Sequence, residues 1–207
     1  MPEIIFKYFT SLDQHQKEML DRLKSIYDRW NSRINVISRK DMDSFYIHHV
    51  LHSLSIAKAI SFKPGTRILD VGTGGGFPGI PLAMLFPGSE FTLLDSIEKK
   101  IKVVKAVAEE LELMNVVPVR KRAEEENGNY DFVLSRAVTE FPAFVRLTSK
   151  NISQKGFNSL RNGILCLKGG DLENELGVLK KRVKIWNISD LFSESYFETK
   201  KIVYLPV

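Results

Sequence analysis

The stretch ILDVGTGGGFPGIPLAM, residues 68–84, runs an apolar segment into Gly72, Gly74, Gly75 and Gly76 and then into a new apolar pattern. Glycine lacks the Cβ that holds a backbone away from a ligand, so a strand ending in such a run can turn sharply against a small molecule. The following apolar run, FTLLD, ends at Asp95, 19 residues after Gly76. At that separation an acid at the end of the neighbouring strand accepts hydrogen bonds from ribose hydroxyls, which points to a nucleoside. A tight turn with no ligand is the plain alternative. The dinucleotide fingerprint G-x-G-x-x-G fails when counted from Gly72, because the sixth position is Phe77. Counted from Gly74 it is met by Gly74, Gly76 and Gly79, but Pro78 and Pro81 are expected to interrupt the helix start that a pyrophosphate needs.

From Arg67 onward RILDV, EFTLLD, VVPV, YDFVLS and GILCLK read as strands separated by helical patterns. That alternation implies an α/β fold: a parallel sheet with helices on both faces, binding its ligand at the carboxyl ends of the strands, where the glycine loop falls. A helix is predicted over 96–113, with Ser96 as N-cap, Ile97, Ile101, Val104, Ala108 and Leu111 on its apolar face, and Lys99, Lys100, Lys102 and Lys105 on a solvated side. RVKIWNI and KKIVYLPV follow one another without a clear crossover helix, which predicts an antiparallel pair. Residues 3–60 hold no glycine or proline, and Met19, Leu20, Leu23, Ile26, Tyr27 and Trp30 recur at helical spacing. A break at NSRINVISRK precedes a second helix expected around 41–60. The chain therefore reads as a single domain over 1–207, with a helical extension (1–63) and a Rossmann-like core (64–207).

The 207 residues are 43% hydrophobic and 27% charged, an ordinary globular balance, and the net charge of +5 leans toward a polyanionic partner. Cys166 is the sole cysteine and sits in the apolar run ILCLK, so it reads as core, and neither an intrachain disulfide nor a cysteine-rich metal site can form. The start, MPEIIFKYFTSLDQ, lacks the pattern of a secretory signal, and no run of about 18 apolar residues suggests a membrane span. A cytoplasmic, membrane-free protein is expected. His48 and His52 lie one helical turn apart beside His49 but lack a clear carboxylate partner, so no metal is expected. Arg29, Arg33, Arg39 and Lys40 gather around the break beside Trp30 and Tyr27, which suits phosphate contact and base stacking; a solvated helix face explains the charges almost as well. Lys180, Lys181, Arg182 and Lys184 are ambiguous in the same way.

The pattern Asp70-x-Gly72-x-Gly74-x-Gly76 resembles the first motif of class I S-adenosylmethionine-dependent methyltransferases. The resemblance implies that the loop cradles the amino-acid part of the cofactor, that Asp70 acts around its ammonium and that Asp95 holds the ribose. More specifically, WNSRINVISRKDMDSFYIHHVLHSL, GTGGGFPGIP, FTLLDS, VRKRAEE, LSRAV and LCLKGG are together similar, from about Trp30 to Gly170, to the RsmG (GidB) family of 16S rRNA guanine-N7 methyltransferases. Gly-Phe-Pro-Gly-Ile-Pro after the first glycines is the most specific part.

That family implies a mostly parallel seven-stranded sheet and S-adenosyl-L-methionine as cofactor. It implies 16S rRNA or the small ribosomal subunit as partner, and a monomer is expected. Its chemistry is methyl transfer to N7 of a guanosine, whose unprotonated lone pair needs no general base, only in-line positioning and a suitable electrostatic site. Carried over residue by residue, Gly72, Gly74, Gly76, Phe77, Asp95 and Ser96 go to the cofactor, with Ala123 and Glu124 near the adenine. Arg136 and Lys168 fall at the ends of adjacent strands with positioning and electrostatic roles, Arg136 also facing the cofactor. Arg33, Asn35, Arg39, His49 and Arg122 are implied RNA or substrate contacts, and Ser53 is expected over the same pocket. The sequence departs from the family at His48, usually arginine, His52, usually aspartate, and Ile37, usually threonine. A small-molecule or different RNA acceptor would keep every cofactor feature.

Overall fold

Arg67–Val71 (β1) carries four consecutive buried residues after an exposed first one, as a strand covered on both faces must. Around it the computed structural model, which describes residues 1–136 and 139–207, builds a seven-stranded sheet. Ala137 and Val138 of the LSRAV stretch lie outside the described residues. The other strands are β2 (Glu90–Asp95), β3 (Val116–Arg120), β4 (Phe132–Arg136), β5 (Gly163–Gly169), β6 (Lys184–Asn187) and β7 (Lys200–Pro206), in the order β3-β2-β1-β4-β5-β7-β6. The first five run parallel, and β7 pairs antiparallel with both β5 and β6, so the antiparallel tail expected from the sequence is present. The strand order reverses between β1 and β4, which places a ligand-binding crevice at their carboxyl ends.

The helices are α1 (Glu3–Tyr8), α2 (Gln14–Asn31), α3 (His52–Leu54), α4 (Ile56–Ala59), α5 (Gly79–Leu85), α6 (Glu98–Glu110), α7 (Phe141–Thr148) and α8 (Glu173–Leu176). A capping box starts α2, with Asp13 and Gln16 each accepting the other's backbone N–H, and the helix buries Met19, Leu20, Leu23, Ile26 and Tyr27 as its spacing requires.

Three sequence expectations are corrected. The single helix expected around 41–60 is a 3-10 turn (Arg39–Asp41), a π-helical turn (Tyr46–Leu51), α3 and α4. Ser53 and Ser55 hydroxyls donate to the carbonyls of His49 and His52 at 2.6 Å each, competing with the regular ladder. The helix expected to begin at Ser96 begins at Glu98 without a side-chain cap, because the Asp95 carboxylate takes the Ile97 N–H at 2.9 Å. Its buried face is therefore Val103, Val104, Val107, Ala108 and Leu111, while Ile97 is exposed. The prolines do not interrupt α5: Pro78 precedes it and Pro81 lies in its first turn, where a helix N–H has no partner to lose.

Phe62, just before β1, joins the N-terminal layer to the sheet by packing against Phe86, Phe91 and Phe132 with ring centroids 5.2, 6.4 and 5.3 Å away. Phe62→Ala is expected to destabilise the protein by about 3–5 kcal/mol and Phe62→Leu by about 1 kcal/mol, read from urea unfolding midpoints. Equal losses for the two would mean that the ring's volume is not what matters there.

Candidate active site

The glycine loop is held from below by one carboxylate. Asp70, fully buried on β1, accepts from Thr73 Oγ1 at 2.7 Å and from the Gly79 N–H at the start of α5 at 2.9 Å, tying both ends of the loop to the strand. Burial pushes its carboxyl up to about 6 against those two hydrogen bonds. The Gly72 and Thr73 N–H groups both donate to Leu94 O on β2. Gly76 has φ of 100°, and a Cβ there would stand 2.6 Å from Ile80 Cγ1. A side chain at Gly79 would run into Leu93 and lie 2.9 Å from Asp70 Oδ2.

The N-terminal layer closes over the loop. Tyr27 Oη donates to Gly75 O at 2.5 Å. Asn31 Oδ1 accepts from the Val36 and Ile37 N–H groups at 2.9 and 3.0 Å, folding the segment after α2 so that a Cβ on Gly75 would touch Val36 at 3.1 Å.

Two cavities lie along the carboxyl edge of the sheet. The larger, about 820 Å³, is lined by Val71 and Gly72 after β1, Asp95 and Ser96 after β2, Ala123 and Glu124 after β3, and residues of α7. Asp95 accepts from the Gly74 N–H at 3.1 Å and lies 3.6 Å from Lys100 Nζ, so that lysine belongs to the site rather than to a purely solvated face.

The smaller cavity, about 300 Å³, lies over the ends of β4 and β5 and includes Arg136, Lys168, His48, His49 and Tyr196 in its wall. Arg136 donates to His48 O at 3.1 Å and to His49 Nδ1 at 3.0 Å, and its guanidinium carbon sits 5.1 Å from the Phe77 ring centroid. A guanidinium has no lone pair to offer, so His49 Nδ1 is the acceptor and the neutral imidazole carries its proton on Nε2. Burial, reinforced by the Arg136 charge, holds His49 down to about 4. Lys168 Nζ donates to Thr139 O and pairs with Glu175 of α8, both at 2.7 Å, and the same Glu175 oxygen accepts the Phe141 N–H at the start of α7.

The structure thus brings Gly72, Asp95, Ser96, Ala123 and Glu124 together around one cavity and Arg136, Lys168 and His49 around the other. Gly74 meets the first group through Asp95, while Asp70 is buried beneath the loop and Phe77 is buried against Tyr27, Phe45 and His49 of the N-terminal layer. Arg122 lines the larger cavity rather than the smaller one. Arg33, Asn35 and Arg39 are exposed on the N-terminal loop and line neither cavity. Tyr27 is buried with its hydroxyl engaged, Arg29 pairs with Glu110, and Trp30 Nε1 donates to the same carboxylate at 3.1 Å, so these three tie α2 to the rest of the fold. Ser53 is likewise buried. Cys166 is core, its thiol pushed up to about 12 by burial. Among the described residues no group of three or more His, Cys, Asp or Glu is placed to hold a metal ion, and no helix is long and apolar enough to cross a membrane.

The family model for GidB, rRNA small subunit methyltransferase G, matches residues 16–203. The chain belongs to this family. The ribosomal RNA small subunit methyltransferase G of Christiangramia forsetii is 53% identical over 205 residues, covering 99% of this chain and 97% of the relative. That of Bacteroides thetaiotaomicron is 52% identical, covering 99% and 100%. Among solved structures, a SAM dependent methyltransferase from Aquifex aeolicus superposes with a TM-score of 0.58 at 16% identity, over 82% of this chain and 98% of that one. A mutant of MtNAS in complex with S-adenosylmethionine also reaches 0.58 at 14% identity, over 92% and 76%. These two likenesses establish the class I methyltransferase fold of this family member.

Several residues that build the site gave no sequence signal tied to chemistry: Asp41, Tyr196 and Lys200 in the smaller cavity, Glu175 behind Lys168, and Arg146 in the larger one. Asn31 carried a weak one, since an amide directly after a helical run commonly organises a turn.

The buried imidazole has a pH consequence. A histidine whose folded pKa is depressed contributes stability that is complete above its unfolded value near 6.5 and is lost as pH falls toward the folded value of about 4. Asp41 opposes that shift, while Arg136 and His48 reinforce it. His49→Asn keeps an acceptor for Arg136 without the titration, so between pH 7 and 4.5 the wild type is expected to lose more stability than the variant, by up to about 3 kcal/mol. Parallel urea midpoints at both pH values would show equal losses if His49 were freely solvated. Asp70, with its raised carboxyl, acts in the opposite direction in both proteins and cancels.

Proposed function

We propose that this protein transfers the methyl group of S-adenosyl-L-methionine to N7 of a guanosine in small-subunit ribosomal RNA, as an enzyme working in the cytoplasm. The observation that carries this reading is the pair of cavities on the carboxyl edge, a larger one at the glycine loop and a nucleobase-sized one against Arg136, linked by the hydrogen bond from Lys168 in the smaller to Thr139 O in the larger.

The residues present fit the cofactor. Asp95 uses one lone pair on each oxygen for the Gly74 and Ile97 N–H groups, which leaves about two acceptor sites for a ribose diol. Val71 and Gly72 bring bare backbone to the same cavity. Bound there, the cofactor supplies an electrophilic methyl on a sulfonium. The chain's own groups orient and exclude. Phe77, Arg136 and His49 form a packed wall, and His49 has committed its ring lone pair to Arg136, so it does not serve as a free base. That suits guanine N7, which brings its own lone pair and loses no proton. Lys168, fixed by Glu175, and Lys200 give the smaller cavity the positive lining that an RNA phosphate and an electron-rich base edge favour. Family membership supports the ribosomal RNA as acceptor.

The test is transfer of labelled methyl to small-subunit rRNA from a strain lacking this gene, with the product nucleoside identified by mass spectrometry. The expected product is 7-methylguanosine. Asp95→Ala is expected to weaken cofactor binding by roughly 10- to 100-fold, and Lys168→Ala to lower turnover by roughly 10- to 100-fold with cofactor affinity kept. Cofactor binding without transfer to any rRNA or subunit form would redirect the search to small-molecule acceptors.

A further inference from the structure

The smaller cavity has one carboxylate among its described lining residues, Asp41, set against the cations Arg136, Lys168 and Lys200. Asp41 lies in the N-terminal layer, away from the sheet. Its Oδ1 accepts from His48 Nδ1 at 3.0 Å and its Oδ2 from Ser38 Oγ at 2.8 Å, and 43% of its side chain is exposed. Those hydrogen bonds, that of His48 foremost, hold its carboxyl below the usual range, so it is ionised at neutral pH. An ionised carboxylate has about four lone-pair sites, so about two stay open. The wall beside it is aromatic: the rings of His48 and Tyr196 stack with centroids 3.9 Å apart and planes 18° from parallel, and Lys200 Nζ lies 4.9 Å from the Tyr196 ring.

Guanine presents acceptors, N7 and O6, on one edge, and donors, N1–H and the 2-amino group, on the far side of the base. With N7 turned inward toward the half-buried Arg136 and the larger cavity, the donor edge faces the outer end of the pocket. Among the described lining residues, the one anionic side chain is Asp41, with about two acceptor sites open.

We propose that Asp41 reads the target base, accepting the N1–H and 2-amino hydrogens of guanine in the pocket walled by His48 and Tyr196, and thereby selects guanine over adenine. Adenine offers a bare N1 lone pair and no 2-amino group at this position, so it would bring an acceptor against an anion and be rejected as well as unrewarded. The assignment rests on the guanine-N7 reading above and adds the residue that enforces it. Asp41 lies outside the residues that the family resemblance assigns.

The test is an enzyme-by-substrate cycle. Small-subunit rRNA is prepared by splinted ligation with guanosine or inosine at the nucleotide that mass spectrometry identifies as methylated by the wild type. Inosine keeps N7, O6 and N1–H and lacks only the 2-amino group. Wild-type kcat/KM is expected to fall by roughly 10-fold on inosine. Asp41→Ala is expected to lose roughly 10- to 100-fold on guanosine and to show less than about a threefold further loss on inosine, with S-adenosylhomocysteine affinity unchanged. Asp41→Asn, of the same shape, serves if the alanine variant fails to fold: with one acceptor oxygen in place of two it cannot take both hydrogens, and it is expected to lose roughly 10-fold on guanosine and less than that again on inosine. Losses that multiply, or a variant as active on guanosine as the wild type, would overturn the proposal. A wild type that makes no 7-methylguanosine would instead overturn the functional reading beneath it.

Discussion

The buried carboxylate of Asp70 is the constraint on which the site depends. It sits at zero exposure in the middle of the sheet and accepts from both Thr73 and the first N–H of α5, so the glycine loop between them has a fixed span and direction. Burying a carboxylate costs free energy unless hydrogen bonds offset it, and the raised carboxyl pKa shows that the offset is partial. The loop's backbone N–H groups then turn toward β2, where Leu94 O and the Asp95 carboxylate receive them. A cavity at the end of β1 follows from that sequence of bonds rather than from any one glycine.

A second layer of constraint comes from the N-terminal helices. Tyr27, Val36 and Phe77 meet over the loop, and the π-helical turn at 46–51 lets neighbouring histidines serve different partners: His48 turns to Asp41 and Tyr196, His49 to Arg136. A regular α-helix would place adjacent residues about 100° apart with every carbonyl bonded four residues on. The His48 carbonyl also receives Arg136 from β4. His48 and His52 fall on this same surface, and both pack against Tyr196, so the three rings form one contact.

The cations of the site are similarly conditioned by their partners. Lys168 is anchored by Glu175, which also takes the N–H at the start of α7, so one carboxylate ties the end of β5, the entry to α7 and α8 together. Lys100 belongs to Asp95, and Arg29 to Glu110. Charge that looked interchangeable along the chain is divided in space between the site and the scaffold.

Local pattern in the sequence determined the elements and the cofactor side. Apolar runs such as RILDV and GILCLK are long and continuous enough to be covered strands, and Gly72, Gly74 and Gly76 followed by Asp95 specify a loop and an acid through short-range geometry alone. The helix over 98–110 was legible, but its first turn was not, because Asp95, and not Ser96, captures the N–H at its start. What only the tertiary structure decided is the set of partners in the smaller cavity: Arg136, Lys168 and His49 stood out in the motifs, while Asp41, Glu175 and Tyr196 did not. Asp41, His49, Arg136, Lys168, Glu175 and Tyr196 come from separate segments, and each has a role set by a partner brought to it by the fold. Exposure, tautomer and charge state at such positions depend on which groups come within hydrogen-bonding distance, and periodicity along the chain carries no record of that.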